Sequence, residues 1–389
     1  MQALDVRVLR SIPTPVADGL LARGVRCAGD VFAQPEALPE VLQQLHVGDS
    51  KQKAGTMLSA CRQEAEDAWS SADSALELLK QSQRQAPVSF PCIGLSSVLG
   101  NALRPGGALL EVCGLPGTGK TQFCMQLCAA AQIQAAGGRL GPQTDTQAFG
   151  EAIYVDAEGS FTAQRYAEIC RALLAERCTD RKHSRDDRVN MGSKEAVALE
   201  AVLRRMHVCR TYDAAEMYST VKQLGTFLQS HRNVRVVVLD SIAFCFRHEF
   251  ADNTAQRARV LTDIAATLRQ YGKEHQLVIV LTNHMTARFD RSSNSSDGWL
   301  APALGETWAH QPSTQLRFER QPVGAAPLGF RPLGRATLTK SIDQQVGRSC
   351  LFDITEAGIR DPDSSGAVGP GDMVAALGQH CKDAWNSLR

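Results

Sequence analysis

The chain has 389 residues, and its 42 Lys and Arg against 41 Asp and Glu leave a formal net charge of +1, which excludes polyanion binding through bulk basic charge. With 43% hydrophobic and 21% charged residues, apolar runs as short as Val236–Leu239, and no apolar signal core in Met1-Gln2-Ala3-Leu4-Asp5-Val6-Arg7, the expectation is a globular chain of two or three domains that is neither membrane-bound nor secreted. The 12 cysteines contain no Cys-x-x-Cys pair, so buried thiols in a reducing compartment are expected, not a zinc or disulfide framework.

Residues 1–70 read as a small domain of short helices. Leu20 and Leu21 run into Gly24, and a second unit spans Ala37 to Leu45. The turn Val47-Gly48-Asp49-Ser50 then opens a helix from Lys51 to about Asp67, with Asp49 or Ser50 as its N-cap and Ala54, Met57, Leu58 and Cys61 on one face. The helix–Val-Gly–helix order resembles helix-hairpin-helix modules, whose turn amides touch DNA phosphate; a plain helical packing domain fits it too. Residues 71–90, with Ser82 to Gln85 before Pro87, read as a polar linker.

The texture changes over residues 91–360. Short apolar runs, Ala108–Cys113, Ala152–Val155, Met206–Cys209, Val234–Leu239 and Leu277–Leu281, alternate with helix-length segments. Such runs suit strands covered on both faces, so the predicted core is α/β, a mostly parallel twisted sheet flanked by helices. Arg181 to Arg188 reads as a solvated charged insertion, Pro322 to Gly334 as a flexible hairpin tip, and residues 361–389 as a loose tail.

Gly114-Leu115-Pro116-Gly117-Thr118-Gly119-Lys120-Thr121 fits the G-x-x-x-x-G-K-[ST] phosphate loop, which average residue frequencies would produce in roughly 1% of chains this long. It sits between a predicted strand and a predicted helix, where backbone amides curl around phosphate. Lys120 would reach the β- and γ-phosphates of a nucleoside triphosphate and Thr121 would place its hydroxyl on Mg²⁺. Asp240 ends the run Val236–Leu239 and supplies a second metal-side carboxylate. Tyr154-Val155-Asp156-Ala157-Glu158-Gly159 is another strand ending in carboxylates. Glu158, followed by a turn glycine, is the candidate that orients or deprotonates water, and Asp156 the candidate structural cap. The GTPase tetrad fails at Ile342 in Thr339-Lys340-Ser341-Ile342, so ATP is the expected nucleotide.

These residues, in this order, resemble the RecA-type recombinases. Asp156-Ala157-Glu158-Gly159-Ser160-Phe161, Leu281-Thr282-Asn283-His284-Met285 and Pro302-Ala303-Leu304-Gly305-Glu306-Thr307-Trp308 narrow the resemblance to the eukaryotic recombinase paralogues, nearest the C paralogue, over about residues 10–360. It implies a RecA-like P-loop ATPase core, slow Mg²⁺- and DNA-dependent hydrolysis of ATP, and a nuclear role in homologous recombination. It also implies heteromeric complexes with other paralogues and action beside the main strand-exchange recombinase on single-stranded or branched DNA. A filament-forming recombinase and a non-hydrolysing ATP-bound scaffold are the alternatives.

The resemblance assigns Cys245–Arg259 and Met285–Gly305 to two DNA-binding loops, with Arg247, Arg257, Arg288 and Arg291 able to meet phosphates. Acidic neighbours reduce the first segment to a surplus of one positive charge and the second to none, so weak, salt-sensitive DNA binding by the lone chain is expected. His284 stands where the family usually has a Gln that senses the γ-phosphate, and His310 matches a His used near a neighbouring subunit's nucleotide, a packed interior position being the other reading. The Phe-x-x-Ala of self-polymerising members has its nearest match in Ala72-Asp73-Ser74-Ala75, without the aromatic anchor, which favours heteromeric pairing.

Overall fold

A computed structural model of the chain describes residues 6, 9, 11–70, 74–136, 148–179, 191–247, 250, 253–289, 298–321 and 333–362. The chain divides into two units, Met1–Arg84 and Gln85–Arg389. In the first, α1 (Thr14–Ala22), α2 (Ala28–Ala33), α3 (Ala37–Gln44) and α4 (Ser50–Ser70) pack Leu20, Leu38, Val41, Leu42, Ala54 and Cys61 into one core. The turn before α4 works because His46 and Asp49 take left-handed backbone, φ 54° and 55°. Within the segment read as a linker, residues 75–84 instead form α5 (Ala75–Arg84). The reason is local: Ser74 and Glu77 make a reciprocal cap, Glu77 N to Ser74 Oγ at 3.2 Å and Ser74 N to Glu77 Oε2 at 2.9 Å.

The second unit begins with α6 (Ile93–Leu99) and a 3₁₀ turn at Gly100–Leu103. It then runs β1 (Leu109–Gly114), α7 (Lys120–Ala135), β2 (Glu151–Asp156), α8 (Ala163–Thr179), α9 (Met191–Arg204), β3 (Met206–Arg210), α10 (Ala214–Ser230) and β4 (Val234–Asp240). After α11 (Ile242–Phe246) and α12 (Thr254–Glu274) come β5 (Val278–Phe289), β6 (Gly298–Pro302), α13 (Gly305–Ala309), β7 (Thr314–Arg320), β8 (Gly334–Lys340), β9 (Ser349–Thr355) and β10 (Gly358–Arg360). The sheet order is β10-β9-β8-β7-β1-β5-β4-β2-β3, with β6 on β5. From β7 to β3 every pairing is parallel; β6 and β8 to β10 pair antiparallel.

Alternation within the apolar strands explains why both faces are covered. Val236 and Val238 point into one core with Phe123 and Leu127 of α7 and Ile169 of α8. Val237 and Leu239 point into the other, against Met217 and Leu224 of α10 and Ile264 and Leu268 of α12. No disulfide joins the described cysteines, and burial pushes the thiols of Cys92, Cys113 and Cys170 up to about 12, which leaves them inert.

Three boundaries differ from the sequence reading or fall outside it. β5 extends eight residues past Leu281 because β6 folds back on it, Arg288 opposite Trp299; 290–297 lie outside the described residues. Asp361, expected in the tail, is docked: its carboxylate accepts from Ile93 N (2.7 Å), Gly94 N (2.8 Å) and Cys92 Sγ (3.2 Å). The remainder of the tail from 363, the charged segment 181–188 and the hairpin tip 322–332 lie outside the described residues, although Arg320 does pair with Gly334. No described helix is long and apolar enough to cross a membrane.

Candidate nucleotide-binding site

The site collects at the carboxyl ends of β1, β2, β4 and β5, where parallel register brings distant residues together: Gly114 opposite His284, and Asp156 opposite Asp240. β1 is wholly buried and delivers the phosphate loop to the start of α7. Gly117 (φ 73°) and Gly119 (φ 104°) take left-handed backbone, and a Cβ on Gly114 would lie 2.6 Å from both Phe318 O and Thr118 Oγ1. The loop is thus a bare-backbone cradle that fits a phosphate chain. Lys120 Nζ, largely buried, donates to Gly114 O (3.0 Å) and Leu115 O (3.1 Å). Burial pulls the Lys120 ammonium below its usual range, against the nearby Asp240 and Glu158 carboxylates.

Thr121 Oγ1 donates to Asp240 Oδ2 at 2.7 Å, joining the two side chains suited to share a divalent cation. Asp240 Oδ2 also accepts from the Tyr154 hydroxyl (2.5 Å) and the Ser160 hydroxyl (3.3 Å), and its other oxygen from the Thr282 hydroxyl. Glu158 Oε1 accepts from both Ser241 Oγ and His284 Nε2. Burial alone would raise the Glu158 carboxyl, but the hydrogen bonds from His284 and Ser241 outweigh it and hold the group below the ordinary carboxylate range. Asp156 instead turns inward and caps the following loop, accepting from Ser160 N (3.0 Å) and Phe161 N (3.3 Å).

Lys120, Thr121, Glu158, Asp240 and His284 line one cleft of about 650 Å³. Sequence reasoning missed two cationic residues there. Arg320, at the end of β7, donates through Nε (3.0 Å) and Nη2 (2.8 Å) to Gly117 O. Arg165, on α8, ties Gln122 Oε1 (2.8 Å) to Thr355 O (2.6 Å) and Glu356 O (2.7 Å). A lone arginine at a strand end carries no motif, and only the β1–β7 pairing reveals Arg320.

His310 caps α13 in an exposed position and does not line this cleft, so the reading of a packed interior histidine is corrected. Arg247 is exposed just past α11, Arg257 is half-buried on the first turn of α12, Arg288 lies on β5, and Arg291 lies outside the described residues.

The Rad51 family model matches residues 88–362. The DNA repair protein RAD51 homolog 3 of Cricetulus griseus is 32% identical over 356 residues, 88% of each chain. That of Dictyostelium discoideum is 31% identical over 292 residues, 74% of this chain and 69% of its own. The DNA repair protein XRCC3 of Bos taurus is 27% identical over 292 residues, 74% of this chain and 79% of its own. A crystal structure of the RadB recombinase has a TM-score of 0.50 at 21% identity, spanning 71% of this chain and 100% of that one, a likeness of fold.

Proposed function

The chain belongs to the Rad51 family, and from that premise we propose that it is an ATP-binding recombinase paralogue serving homologous recombination and double-strand-break repair. It acts in the nucleus as a subunit of heteromeric complexes with other paralogues, beside the main strand-exchange recombinase on single-stranded or branched DNA. One observation carries the enzymatic part of this reading: the phosphate-loop Lys120 and Thr121, the Asp240 carboxylate and Glu158 converge on a single cleft.

Bound Mg²⁺-ATP supplies a γ-phosphoryl group whose charge the ion partly neutralises. The chain's own residues do the rest. The bare loop amides and Lys120 hold the phosphate chain, Lys120 exchanging its two carbonyl partners for phosphate oxygens. Thr121 and Asp240 hold the cation side. Glu158 fixes a water by accepting its hydrogen bond, its carboxylate held below the ordinary range by the hydrogen bonds from His284 and Ser241. Arg247, Arg257, Arg288 and Arg291 meet DNA phosphates, and their sparse surplus charge makes binding by the lone chain weak until partners add their own loops. His310, exposed outside the cleft, takes the role the resemblance implies, an approach to a neighbouring subunit's nucleotide.

One observation bears on a second reading, a scaffold that binds ATP without hydrolysing it: Ser241 and His284 both engage Oε1 of Glu158, which leaves only its other oxygen for a water. Phosphate release by the full-length chain with single-stranded DNA separates the two. The enzyme reading requires Glu158→Gln to slow release at least tenfold while ATP still binds. Equal, very slow rates in both proteins establish the scaffold.

A further inference from the structure

At the edge of the sheet opposite the phosphate loop, three side chains meet at three adjacent strand entrances. Glu151 is the first residue of β2, His207 the second of β3, and His231 follows α10 just before β4. β2 lies between β3 and β4, and Glu151 N bonds Asn233 O at 2.8 Å, so sheet pairing itself makes the three neighbours. His207 Nε2 lies 2.8 Å and His231 Nδ1 2.7 Å from the same atom, Glu151 Oε2. The Phe227 ring stacks on His231 (centroids 3.9 Å, planes 3° apart) and meets His207 edge-on at 5.0 Å, fixing the orientation of both imidazoles. The Glu151 side chain is only 13% exposed, whereas the two histidines open onto a cleft of about 440 Å³.

We propose that His207 Nε2, His231 Nδ1 and Glu151 Oε2 form a binding site for a divalent transition-metal ion of the zinc class. Two imidazoles and one carboxylate are the donor set of borderline ions such as Zn²⁺ and Co²⁺; Mg²⁺ and Ca²⁺ take oxygen-only sets. The three donor atoms lie within 4.8 Å of one another. A tetrahedral ion with bonds of about 2.0–2.1 Å sets its donors about 3.3 Å apart, so each nitrogen need withdraw from Oε2 by only about half an ångström. Each imidazole gives up the proton it shares with Oε2 and carries one on its other ring nitrogen instead, a tautomer switch through solvent that frees the facing lone pair for the ion. The cleft supplies room for water as the fourth ligand. Arg205 Nη1, 3.5 Å from Oε1, engages the other carboxylate oxygen and leaves Oε2 to the ion. Its positive charge sets the affinity below that of a closed four-ligand zinc site.

The site is separate from the nucleotide cleft. Glu151 and Asp156 are opposite ends of β2, about 16 Å apart at roughly 3.3 Å per residue. Binding there clamps the amino ends of three strands and stabilises the core by mass action.

Titration of the full-length, nucleotide-free chain with Co²⁺ and then Zn²⁺ tests this. The expected result is a visible ligand-field absorption that saturates at one Co²⁺ per chain and is abolished by Zn²⁺, together with a Zn²⁺-dependent rise in Tm. The His207→Ala/His231→Ala double variant loses that equivalent and the Tm rise while still binding ATP. Should the double variant fail to fold, His231→Asn, which keeps a polar side chain against Phe227, must weaken Co²⁺ binding at least tenfold. Undiminished Co²⁺ binding in the variants, or no uptake by the wild type at micromolar ion, overturns the proposal.

Discussion

His284 Nε2 donates to Glu158 Oε1, the same oxygen that accepts the Ser241 hydroxyl. The β1–β5 register, with Gly114 opposite His284, brings the imidazole to the edge of the phosphate loop. β5 continues past His284 into the hairpin with β6, so one strand carries both the partner of Glu158 and the segment that resembles a DNA-binding loop. Glu158 and that segment are thus joined through a single strand by the His284 contact.

Replacing His284 tests that link through its pH dependence. Glu158 is an acid whose folded pKa is depressed, so the stability it contributes is present above its unfolded value, about 4.3, and is lost as pH falls through the folded value. His284→Ala removes a hydrogen bond to a charged group and should cost about 1.5–3 kcal/mol at pH 7. The gap between variant and wild type should close as the pH drops below about 4.3. Urea unfolding across that window measures it, and a gap independent of pH refutes the coupling.

Arg320 holds the phosphate loop from outside. Its two bonds to Gly117 O fix the one loop carbonyl beside the left-handed Gly117 before any phosphate arrives. Arg320→Ala should weaken binding of a fluorescent ATP analogue about tenfold, roughly 1.4 kcal/mol. Arg320→Lys should recover only part of this, because a single ammonium cannot reproduce the two-pronged contact. Unchanged affinity in Arg320→Ala would remove the residue from the site.

The parallel half of the sheet was legible because its strands are continuous apolar runs, and the phosphate loop because its spacing is a near-unique pattern. Strands β6 to β10, the antiparallel ones together with β7 at the border, were not. Thr314–Arg320 buries only alternate side chains, so its run is broken by Gln315 and Arg317 and carries no comparable signal. Ser241, Thr282 and Arg320 were missed for a related reason. Each acquires its role from strand register, as when β4 and β5 align Leu239 with Leu281 and so set Thr282 against Asp240. The short α5 escaped notice because its polar composition masked the Ser74–Glu77 cap.

Asp361 closes the second unit by accepting two backbone amides at the start of α6 and the Cys92 thiol. Burial would raise its carboxyl, but the Gly94 and Ile93 amides and Cys92 hold it below the usual range. Its stabilisation is therefore present above about 3.9 and lost as pH falls through the depressed folded value. Asp361→Ala should cost about 1–2 kcal/mol at pH 7 by denaturant unfolding, and Asp361→Asn nearly as much, because an amide oxygen accepts more weakly than a carboxylate. A chain ending before residue 361 should show the same loss; full stability in it would mean that the contact contributes nothing.

Glu111 gives the opposite pH sign. It is fully buried in β1, where Oε1 accepts from Asn283 Nδ2 (2.8 Å) and Trp308 Nε1 (2.7 Å) and Oε2 from Gln315 Nε2 (2.6 Å). Burial raises its pKa even against those three donors, so its folded value lies above its unfolded one. The protonated group's contribution is complete below about 4.3 and declines as pH rises through the raised value, the unfolded chain having already released its proton. Wild-type stability should fall over that interval, whereas Glu111→Gln, which cannot ionise, should lack this component. Glu111→Ala should cost about 3 kcal/mol or more at any pH, since three donors lose their acceptor. Asn283 directly precedes His284, so the same variant should also disturb the Glu158 contact. A nucleotide affinity that falls in Glu111→Ala but holds in Glu111→Gln would mark Glu111 as a positioning residue acting through β5; equal affinities in all three proteins would confine it to stability.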